Sequence, residues 1–469
     1  MNINFPDNLK KWLLYSVGGV AGYYGLTFAT RKYIDTTISN SAKIIMTDTY
    51  DENLWGLVSS VKRVDPQVIL ETNLRAEEGQ MIDRPLGSPK KFPSLEQLMF
   101  SISQLHVMPT EIDVKIDTKV VIGKLARKPV TIEMPIVVSG MAFGVALSEE
   151  SKVAIAKGTS KVGTATNSGE GPFLQSERDN ANILTLQYNR GDWNKSEETL
   201  KQADMIEIQL GQGAIAGVGH IFPAKKIDEK LRQHYDFPPG KDAIAHSKQP
   251  EVQKPSDLIK LVNKLRRITG GVPIGVKLGA GKFLEKDLAY IVKADVDFIN
   301  VEGAEAATKG SAPVLQDDFG IPTIYAINRA ANFLRDNNLK DKVSLIASGK
   351  LRTPGDFLKS LALGADICSI GAIALFALSH DQVLNPLPFE PPDQLLWYKG
   401  NMAHKFDLNK GANSLANFLR ACNDEISEGV KALGKTSIRE LDKDDLVSLN
   451  ESISKALGIP MSYEPSTNT

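Results

Sequence analysis

The stretch that decides the fold is residues 134–171, which read MPIVVSGMAFGVALSEESKVAIAKGTSKVGTATNSGEG. It opens with a short apolar run, Pro135 to Ser139, that ends in Ser-Gly, the pattern of a buried parallel strand. Ser148 to Glu150 supply a helix N-cap and first-turn acids, and Val153 to Val162 carries helical spacing. A second strand, Val162 to Thr166, follows. Strand, helix and strand in so short a stretch predict a parallel sheet, whose chemistry lies at the carboxyl ends of its strands.

Eight apolar runs with small or polar ends recur along the chain, and helical segments separate most of them. The clearest helical segments are Asp257–Arg267, Glu285–Lys293, Ile324–Asn337 and Asp356–Leu363. This α/β alternation predicts a (β/α)8 barrel, the TIM barrel. The long Gly211–Lys254 insertion is predicted to be loop with at most short helices. The eight predicted strands are Ile136–Ser139, Val162–Thr166, Ile183–Gln187, Met205–Leu210, Ile274–Leu278, Phe298–Glu302, Ser344–Ala347 and Ile367–Ile370.

The segments outside the barrel carry their own patterns. Ser94–Leu105 has the spacing of a short amphipathic helix, and Val114–Thr131 alternates like a β-hairpin that leads into the barrel. The C-terminal segment is amphipathic and helical, and we expect it to wrap the barrel or mediate assembly. The predicted parts are residues 1–33 as an anchoring helix, 34–133 as a helical and β lead-in, 134–380 as the barrel and 381–469 as a helical extension.

The N-terminal segment Trp12–Thr30 contains no charged residue, and Lys10, Lys11, Arg31 and Lys32 flank it. This length just suffices to cross a bilayer, so we expect a transmembrane helix. The alternative is an amphiphilic helix that packs on the barrel or on a partner subunit. With the anchor, the long C-terminal part lies on the cytoplasmic face of the membrane; without it, we expect a cytoplasmic protein.

Composition narrows the class of protein. The chain has 469 residues, 42% of them hydrophobic and 24% charged, which is typical of a globular protein. A net charge of −1 argues against a nucleic-acid partner, which favours a basic surface. Cys368 and Cys422 are too few for a disulfide scaffold or a cysteine-ligated cluster, and they suit a reducing compartment. We expect no bound metal.

Three motifs of the opening stretch resemble the FMN-binding domain of glutamate synthase. They are Ser139-Gly140-Met141-Ala142-Phe143-Gly144, Leu147-Ser148-Glu149-Glu150 and Asn167-Ser168-Gly169-Glu170-Gly171. The resemblance covers about Phe92 to Ala377, with a weaker tail to Pro460, and the order and spacing of the motifs carry it. It implies a flavoprotein oxidoreductase of glutamate biosynthesis with FMN as its cofactor.

A flavin needs a phosphate cradle, a cation near its N1–O2 edge and close backbone approach at N5. Glycines after the seventh and eighth runs can turn backbone N–H groups towards a phosphate, although each can equally form an ordinary tight turn. Lys277 lies in the fifth run, where a lysine is costly unless it is paired or faces the active-site end; a rim lysine is the alternative. The resemblance places Lys277 against the flavin, and we expect Lys277→Met to leave the fold intact. The predicted cofactor residues are Ser139, Gly140, Met141, Ala142, Asn167, Gln209, Lys277, Ser348, Gly349, Lys350, Gly371 and Ala372.

The resemblance also implies substrate-binding and catalytic residues. Arg190 ends the third run and suits a carboxylate through two parallel hydrogen bonds, with a surface ion pair as the alternative. His220 can supply a proton, although a lone loop histidine is more often unremarkable. The catalytic candidates are Lys277, Gln212 and Glu170. The substrate-binding candidates are Arg190, Gln212, His220, Glu302, Thr308 and Lys309.

Departures from the family pattern bear on the reaction. The family commonly has a lysine at the position of Gln209, and a Lys-Pro-Gly-Glu-Gly-Gly loop where this chain has residues 215–220. Asn2 is not a processed cysteine, so no N-terminal-nucleophile glutaminase is expected. The segment Ala374 to His380, after Cys368, supplies no cysteine for an iron–sulfur cluster.

The expected reaction is the reductive amination of a 2-oxo acid, by resemblance 2-oxoglutarate to glutamate. Ammonia and electrons then have to come from separate partners. Two alternatives stay open: an FMN barrel that acts on another small acid or an amino acid, and a non-catalytic FMN- or metabolite-binding protein associated with a membrane.

Overall fold

The computed structural model describes residues 7–51, 53, 55–386 and 392–465, and for residues 7–21 and 57 it describes the backbone only. The chain divides into two compact units, Met1–Ile82 and Asp83–Thr469. The described part of the first unit forms the helices Asp7–Thr47, Trp55–Arg63 and Pro66–Glu78. The third of these begins at Asp65, whose side chain accepts a hydrogen bond from the Gln67 N–H, and ends at Gly79 in the left-handed conformation.

The first helix tests the predicted membrane anchor. Asp7–Thr47 runs without a break through the predicted boundary at residue 33. Among the described residues, no helix combines the length and the apolar character that a bilayer crossing requires. The prediction of a transmembrane helix at Trp12–Thr30 is therefore wrong for this helix, because its glycine, tyrosine, serine and threonine residues offset its apolar ones.

Eight parallel strands form the centre of the second unit, and the predicted (β/α)8 barrel is confirmed. From the second strand to the eighth, each strand pairs in parallel with the next one in chain order, and the eighth strand also pairs with the first. The remaining gap, between the first and second strands, is bridged by a hydrogen bond of 3.1 Å from the Val138 N–H to the Ala165 carbonyl. The strands are β1 Ile136–Val138, β2 Thr166–Asn167, β3 Leu184–Tyr188, β4 Met205–Gln209, β5 Ile274–Gly279, β6 Phe298–Glu302, β7 Ser344–Ser348 and β8 Ile367–Ile370.

Helices follow the strands, and side-chain caps begin some of them. Ser148 accepts a hydrogen bond from the Ser151 N–H, and Thr353 forms a reciprocal capping box with Asp356. Most strands begin and end within two residues of their predicted bounds. The strand β2 is shorter and begins later in the chain than predicted, since Gly163 ends the preceding helical turn with φ 69°. The helices are Glu149–Ser160, Gln175–Asn180, Glu197–Lys201, Asp257–Thr269, Leu284–Val292, Pro313–Asp317, Thr323–Asp336, Pro354–Ala362 and Ala372–Ser379.

The insertion after β4 contains more structure than predicted. Its strands His220–Phe222 and Ala243–Ala245 pair as an antiparallel hairpin, and the helix Glu229–Tyr235 lies between them in the chain. This helix packs on the loop after β1: an added Cβ at Gly144 would lie 2.2 Å from Leu231. The insertion therefore covers one side of the barrel mouth, the end at which the strands' carboxyl termini lie.

The segment before the barrel includes one confirmed and one wrong prediction. The hairpin is confirmed, with Val120–Ile122 antiparallel to Val130–Ile132. The helix predicted at Ser94–Leu105 is wrong, because only a short 3-10 turn forms there and Leu98–Phe100 is a strand paired with Leu446–Ser448. That partner lies far along the chain, so local periodicity could not indicate it.

The C-terminal extension packs on the barrel's outer layer. The helix Leu408–Ala432 lies against Glu149–Ser160, where an added Cβ at Gly158 would be 3.0 Å from the Ala412 carbonyl oxygen. The chain continues into the helix Glu451–Leu457. The prediction of a helical extension that wraps the barrel is consistent with this packing.

Candidate functional site

A ring of buried polar side chains fills the carboxyl end of the barrel interior. Alternate residues of each strand point inward, so polar residues two apart on an apolar strand face the same cavity. Burying them is tolerable only because they bond to one another. The ring consists of Asn167, Gln187, Glu207, Gln209, Lys277, Asn300, Glu302 and Ser348.

The centre of this ring is an ion pair between β5 and β6. The Lys277 Nζ lies 2.8 Å from the Glu302 Oε1, and their side chains are 3% and 6% exposed. Glu302 also accepts from the Gly213 N–H at 3.0 Å and from the Ser348 hydroxyl at 3.2 Å. Burial lowers the pKa of Lys277, but the carboxylates of Glu302 and Glu207 outweigh it and leave that pKa above its usual value. Lys277 is therefore a paired, charged lysine in the barrel interior.

Gln187, Glu207 and Asn300 are the ring members that sequence reasoning missed, and Glu207 joins the other two. Its Oε1 accepts from the side-chain amides of Asn167 at 3.0 Å and Gln187 at 2.8 Å, and its Oε2 accepts from Asn300 at 2.8 Å. The sequence pattern that could have indicated Glu207 is an alternation with a period of two residues, because Glu207 and Gln209 alternate with isoleucines on β4. Glu207 thereby fixes side chains from β2, β3 and β6.

A second polar group lies at the mouth and joins several predicted residues. The Gln209 amide donates to the Glu170 Oε2 at 3.0 Å and to the Gln212 Oε1 at 3.2 Å. The His220 Nε2 lies 3.8 Å from the Glu170 Oε1. The Gln209 Oε1 is buried without a hydrogen-bond partner in the described structure. One cluster therefore contains Glu170, Gln209, Gln212 and His220, and the Gln209 Oε1 in it can accept a further hydrogen bond.

Arg190 contacts the backbone of the insertion, and its role towards a substrate carboxylate stays a prediction. Its guanidinium is fully buried and donates to the carbonyls of Gly217 at 3.0 Å, Val218 at 3.2 Å and Ser247 at 3.3 Å. Burial lowers the pKa of Arg190, and the charge of Glu170 opposes part of that effect. In this structure Arg190 fastens the insertion to β3.

The loops after β1 and β2 pack backbone against backbone. An added Cβ would lie 2.7 Å from the Asn167 Oδ1 at Gly140, and 2.5 Å from the Met141 carbonyl carbon at Gly169. Only glycine allows this approach. The predicted residues Ser139, Gly140, Met141, Ala142 and Asn167 thus share one surface beside the ring.

Lys152 supports these two loops and was not predicted. It is 1% exposed, and its Nζ donates to the carbonyls of Met141 at 2.9 Å, Asn167 at 2.8 Å and Ser168 at 3.3 Å. It also lies 2.9 Å from the Glu177 Oε1. Burial raises the pKa of Glu177, and Lys152 opposes that effect. One ammonium therefore ties the loops after β1 and β2 together.

The ends of β7 and β8 carry the predicted phosphate residues. Gly349 has φ 125°, and an added Cβ there would lie 2.3 Å from the Thr323 Oγ1. Lys350 has φ 56°. Gly371 precedes the helix Ala372–Ser379, and an added Cβ there would meet no atom within 4 Å. Open space therefore adjoins Gly371, and the adjacent strand ends carry Ser348, Gly349, Lys350, Gly371 and Ala372.

Two substrate candidates lie farther out, in the loop after β6. The Thr308 carbonyl accepts from the Leu86 N–H at 3.0 Å. The Lys309 Nζ lies 4.9 Å from the centroid of the Trp397 ring. The bidentate pair of Arg84 with Asp317, at 2.7 and 2.9 Å, holds the segment before the barrel to this same region.

A cavity of about 530 Å³ opens between the loops after β4, β5 and β6. Gln212, Gly213 and Glu302 are among its lining residues, together with apolar side chains such as Leu278 and Phe319. It offers a small molecule space next to the polar ring.

Comparison with known proteins now identifies the family. A family model described as a conserved region in glutamate synthase matches residues 77–436. The chain belongs to the glutamate synthase family. It is 30% identical to a glutamate synthase large subunit-like protein of Rhizobium meliloti strain 1021, over 85% of this chain and 94% of the relative. It is also 30% identical to the archaeal glutamate synthase [NADPH] of Methanocaldococcus jannaschii, over 77% of this chain and 72% of that protein.

A solved structure agrees on the fold. A flavocytochrome b2 double mutant with sulfite bound superposes with a TM-score of 0.50 and 19% identity, over 80% of this chain and 83% of that one. At this identity the likeness concerns the barrel alone. For a glutamate synthase family protein, the departure at Gln209 now has a structural context, because this amide contacts Glu170 where the family commonly places a lysine.

Proposed function

We propose that this glutamate synthase family protein is an FMN-dependent oxidoreductase that reductively aminates a small 2-oxo acid, with ammonia and electrons from separate partners. The single observation that carries the proposal is the Lys277–Glu302 pair inside a polar ring at the carboxyl end of a (β/α)8 barrel. Family membership supports the reaction class. The identity of the 2-oxo acid and the cellular location stay predictions.

The residues at the barrel mouth fit a flavin mononucleotide. The buried, unpartnered Gln209 Oε1 can accept a hydrogen bond from a flavin N–H, and the open space beside Gly371, at the start of the helix Ala372–Ser379, leaves room for a phosphate. Ser139 to Ala142 and Asn167 would contact the ring system. Bound FMN would supply hydride transfer through N5.

The chain's own side chains have separate parts in this proposal. Lys277 supplies positive charge, which Glu302 holds in one place. Glu170 and His220, with Oε1 and Nε2 3.8 Å apart, can hold and pass a proton at the mouth. The Gln209 amide orients the Glu170 carboxylate by donating to it, and Gln212 accepts a second hydrogen bond from the same amide. The insertion that Arg190 fastens limits the access of water.

The test uses the purified full-length protein. It should be yellow, release FMN on denaturation and, after anaerobic reduction, be reoxidised by 2-oxoglutarate only when ammonium is present. A colourless protein that takes up no FMN at micromolar concentration would refute the proposal. Reoxidation by another 2-oxo acid, such as pyruvate, would support the same class of reaction with a different substrate.

A second candidate is an FMN barrel oxidoreductase acting on another small acid. The observation that favours it is Gln209, because the family commonly has a lysine at this position and the mouth therefore has one positive charge fewer than in the family pattern. Reduction of the bound flavin by a 2-hydroxy acid, without ammonium, would favour this candidate over the first.

A further inference from the structure

Among the described residues, the one cation of the polar ring is Lys277, and it is already paired with a carboxylate. Lys277 is paired with Glu302, and the guanidinium of Arg190 donates to three backbone carbonyls. Glu170 and Glu207 add two further carboxylates to the same region. Because like charges repel in a weakly screened interior, an anionic substrate needs positive charge from another part of the mouth.

Three lysines at the mouth can supply that charge. They are Lys226, Lys309 and Lys399, and we call them, with the ring of Trp397, the lysine cluster. The Lys309 Nζ lies 4.9 Å from the Trp397 ring centroid, and the Lys399 Nζ donates to the Lys226 carbonyl at 2.7 Å. Among the described residues, the Lys309 ammonium makes no hydrogen bond and no ion pair.

The position of the lysine cluster follows from topology. Lys226 belongs to the insertion after β4, Lys309 to the loop after β6, and Lys399 to the segment after β8. Trp397 bridges to Leu147 in the loop after β1, and the Tyr398 N–H donates to the Ala146 carbonyl at 2.8 Å. Segments from strands spread around the barrel meet only over its mouth, the face at which such barrels bind their substrates.

The electrostatics of the lysine cluster suit an anion. Burial lowers the pKa of Lys309, the charges of Asp83 and Asp393 oppose that effect, and Lys226 and Lys399 add to it. Among the described residues, Lys309 therefore has two cationic and two anionic neighbours that act on its charge. A carboxylate bound among them would lessen the repulsion between the lysines, and the indole of Trp397 offers an apolar surface for the substrate's carbon chain.

We propose that the lysine cluster is the carboxylate-binding site for the anionic substrate, with Lys309 as its central contact. Arg190, by contrast, positions the insertion. This assignment rests on the proposed function, because it concerns the substrate of the same barrel mouth. It names a binding site formed by three loops of this chain and not by a strand-end arginine.

The test measures binding of 2-oxoglutarate and of pyruvate to the full-length protein by the change in tryptophan fluorescence. Lys309→Met should raise the dissociation constant at least tenfold, since a charge-assisted contact is lost. Lys309→Arg should restore most of the affinity. The matched control is Lys455→Met, an exposed lysine of the helix Glu451–Leu457, which should change the constant less than twofold. Binding should also weaken with added salt in the wild type and less so in Lys309→Met.

The other outcomes are equally informative. Unchanged affinity in Lys309→Met, or no carboxylate binding by the wild type, would overturn the proposal. A variant that loses FMN but keeps its affinity for 2-oxoglutarate would assign the cluster to the flavin phosphate, which also overturns it. A wild-type protein without any flavin would refute the proposed function, whereas the fluorescence titration would still report on the lysine cluster.

Discussion

Replacing Lys277 with methionine is the sharpest test of the barrel centre. At 2.8 Å and an effective dielectric of about 20, the attraction between Lys277 and Glu302 is about 6 kcal/mol before desolvation is subtracted. Removing one partner leaves the other charge buried. We therefore expect Lys277→Met to lower the free energy of unfolding by about 3–5 kcal/mol, at the lower end because Gly213 and Ser348 still donate to Glu302. The sequence-based expectation of an intact fold is revised accordingly.

The matched control removes both charges. Lys277→Met/Glu302→Gln removes both charges of the pair and leaves the Glu207 carboxylate bonded to three side-chain amides, so its stability should return to within about 1–2 kcal/mol of the wild type. Urea unfolding followed by circular dichroism measures all three proteins. If the single variant unfolds at the same urea concentration as the wild type, Lys277 is not a buried partner of Glu302 and the described centre is wrong.

The same variants test the link to a flavin. A cation beside a reduced flavin stabilises its negative charge, but Glu302 offsets much of that effect here. We expect Lys277→Met to lower the reduction potential of the bound flavin by about 20–45 mV, which corresponds to about 1–2 kcal/mol for two electrons. Dye equilibration measures this shift. Equal potentials would remove Lys277 from the flavin site.

Three further predictions concern the loops and the mouth. Lys152→Met should destabilise the fold by about 3–5 kcal/mol and weaken FMN binding, whereas the partly exposed Lys157→Met on the same helix should do neither; urea unfolding and flavin titration distinguish them. Gln209→Lys should tighten 2-oxoglutarate binding about tenfold or more by adding a cation at the mouth, and an unchanged dissociation constant would contradict this. Hydrogen bonds from Arg84 hold the pKa of Asp317 below its usual value, so this carboxylate stabilises the fold above pH about 4 and the contribution is lost as the pH falls through the lowered folded pKa. Asp317→Asn should therefore cost about 1.5–3 kcal/mol at pH 7 and flatten the loss of stability in acid, as measured by urea unfolding at several pH values.

The barrel could be predicted from the sequence because its signals are local. Each strand is a short apolar run with a polar or small end, and the strand Phe298–Glu302 has the predicted bounds. The strand Leu98–Phe100 could not be predicted, since its partner is at Leu446–Ser448. The local spacing of apolar residues indicated a helix there. Such spacing carries no information on pairing with a distant strand.

The sequence could indicate individual residues of the candidate site, but not which of them contact one another. The cost of burying Lys277 predicted that it needs a partner or an active-site position. Glu302 was named only for the substrate, because pairing the two requires the register that sets Gly279 beside Glu302. For Arg190, the sequence shows an arginine at a strand end, which suits a carboxylate. Only the folded loops show that its guanidinium donates to backbone carbonyls.

Hydrogen bonds join an early segment of the second unit to its C-terminal extension, and this has a consequence for synthesis on the ribosome. The Thr110 hydroxyl donates to the Lys435 carbonyl, 325 residues later, and neighbouring backbone bonds join the same two segments. At roughly 5–20 residues per second, the early segment waits about 16–65 s for these partners. During that time the buried side chain of Leu98 has no strand beside it. The nascent chain therefore passes through a long interval in which this strand edge is open to pairing with another chain.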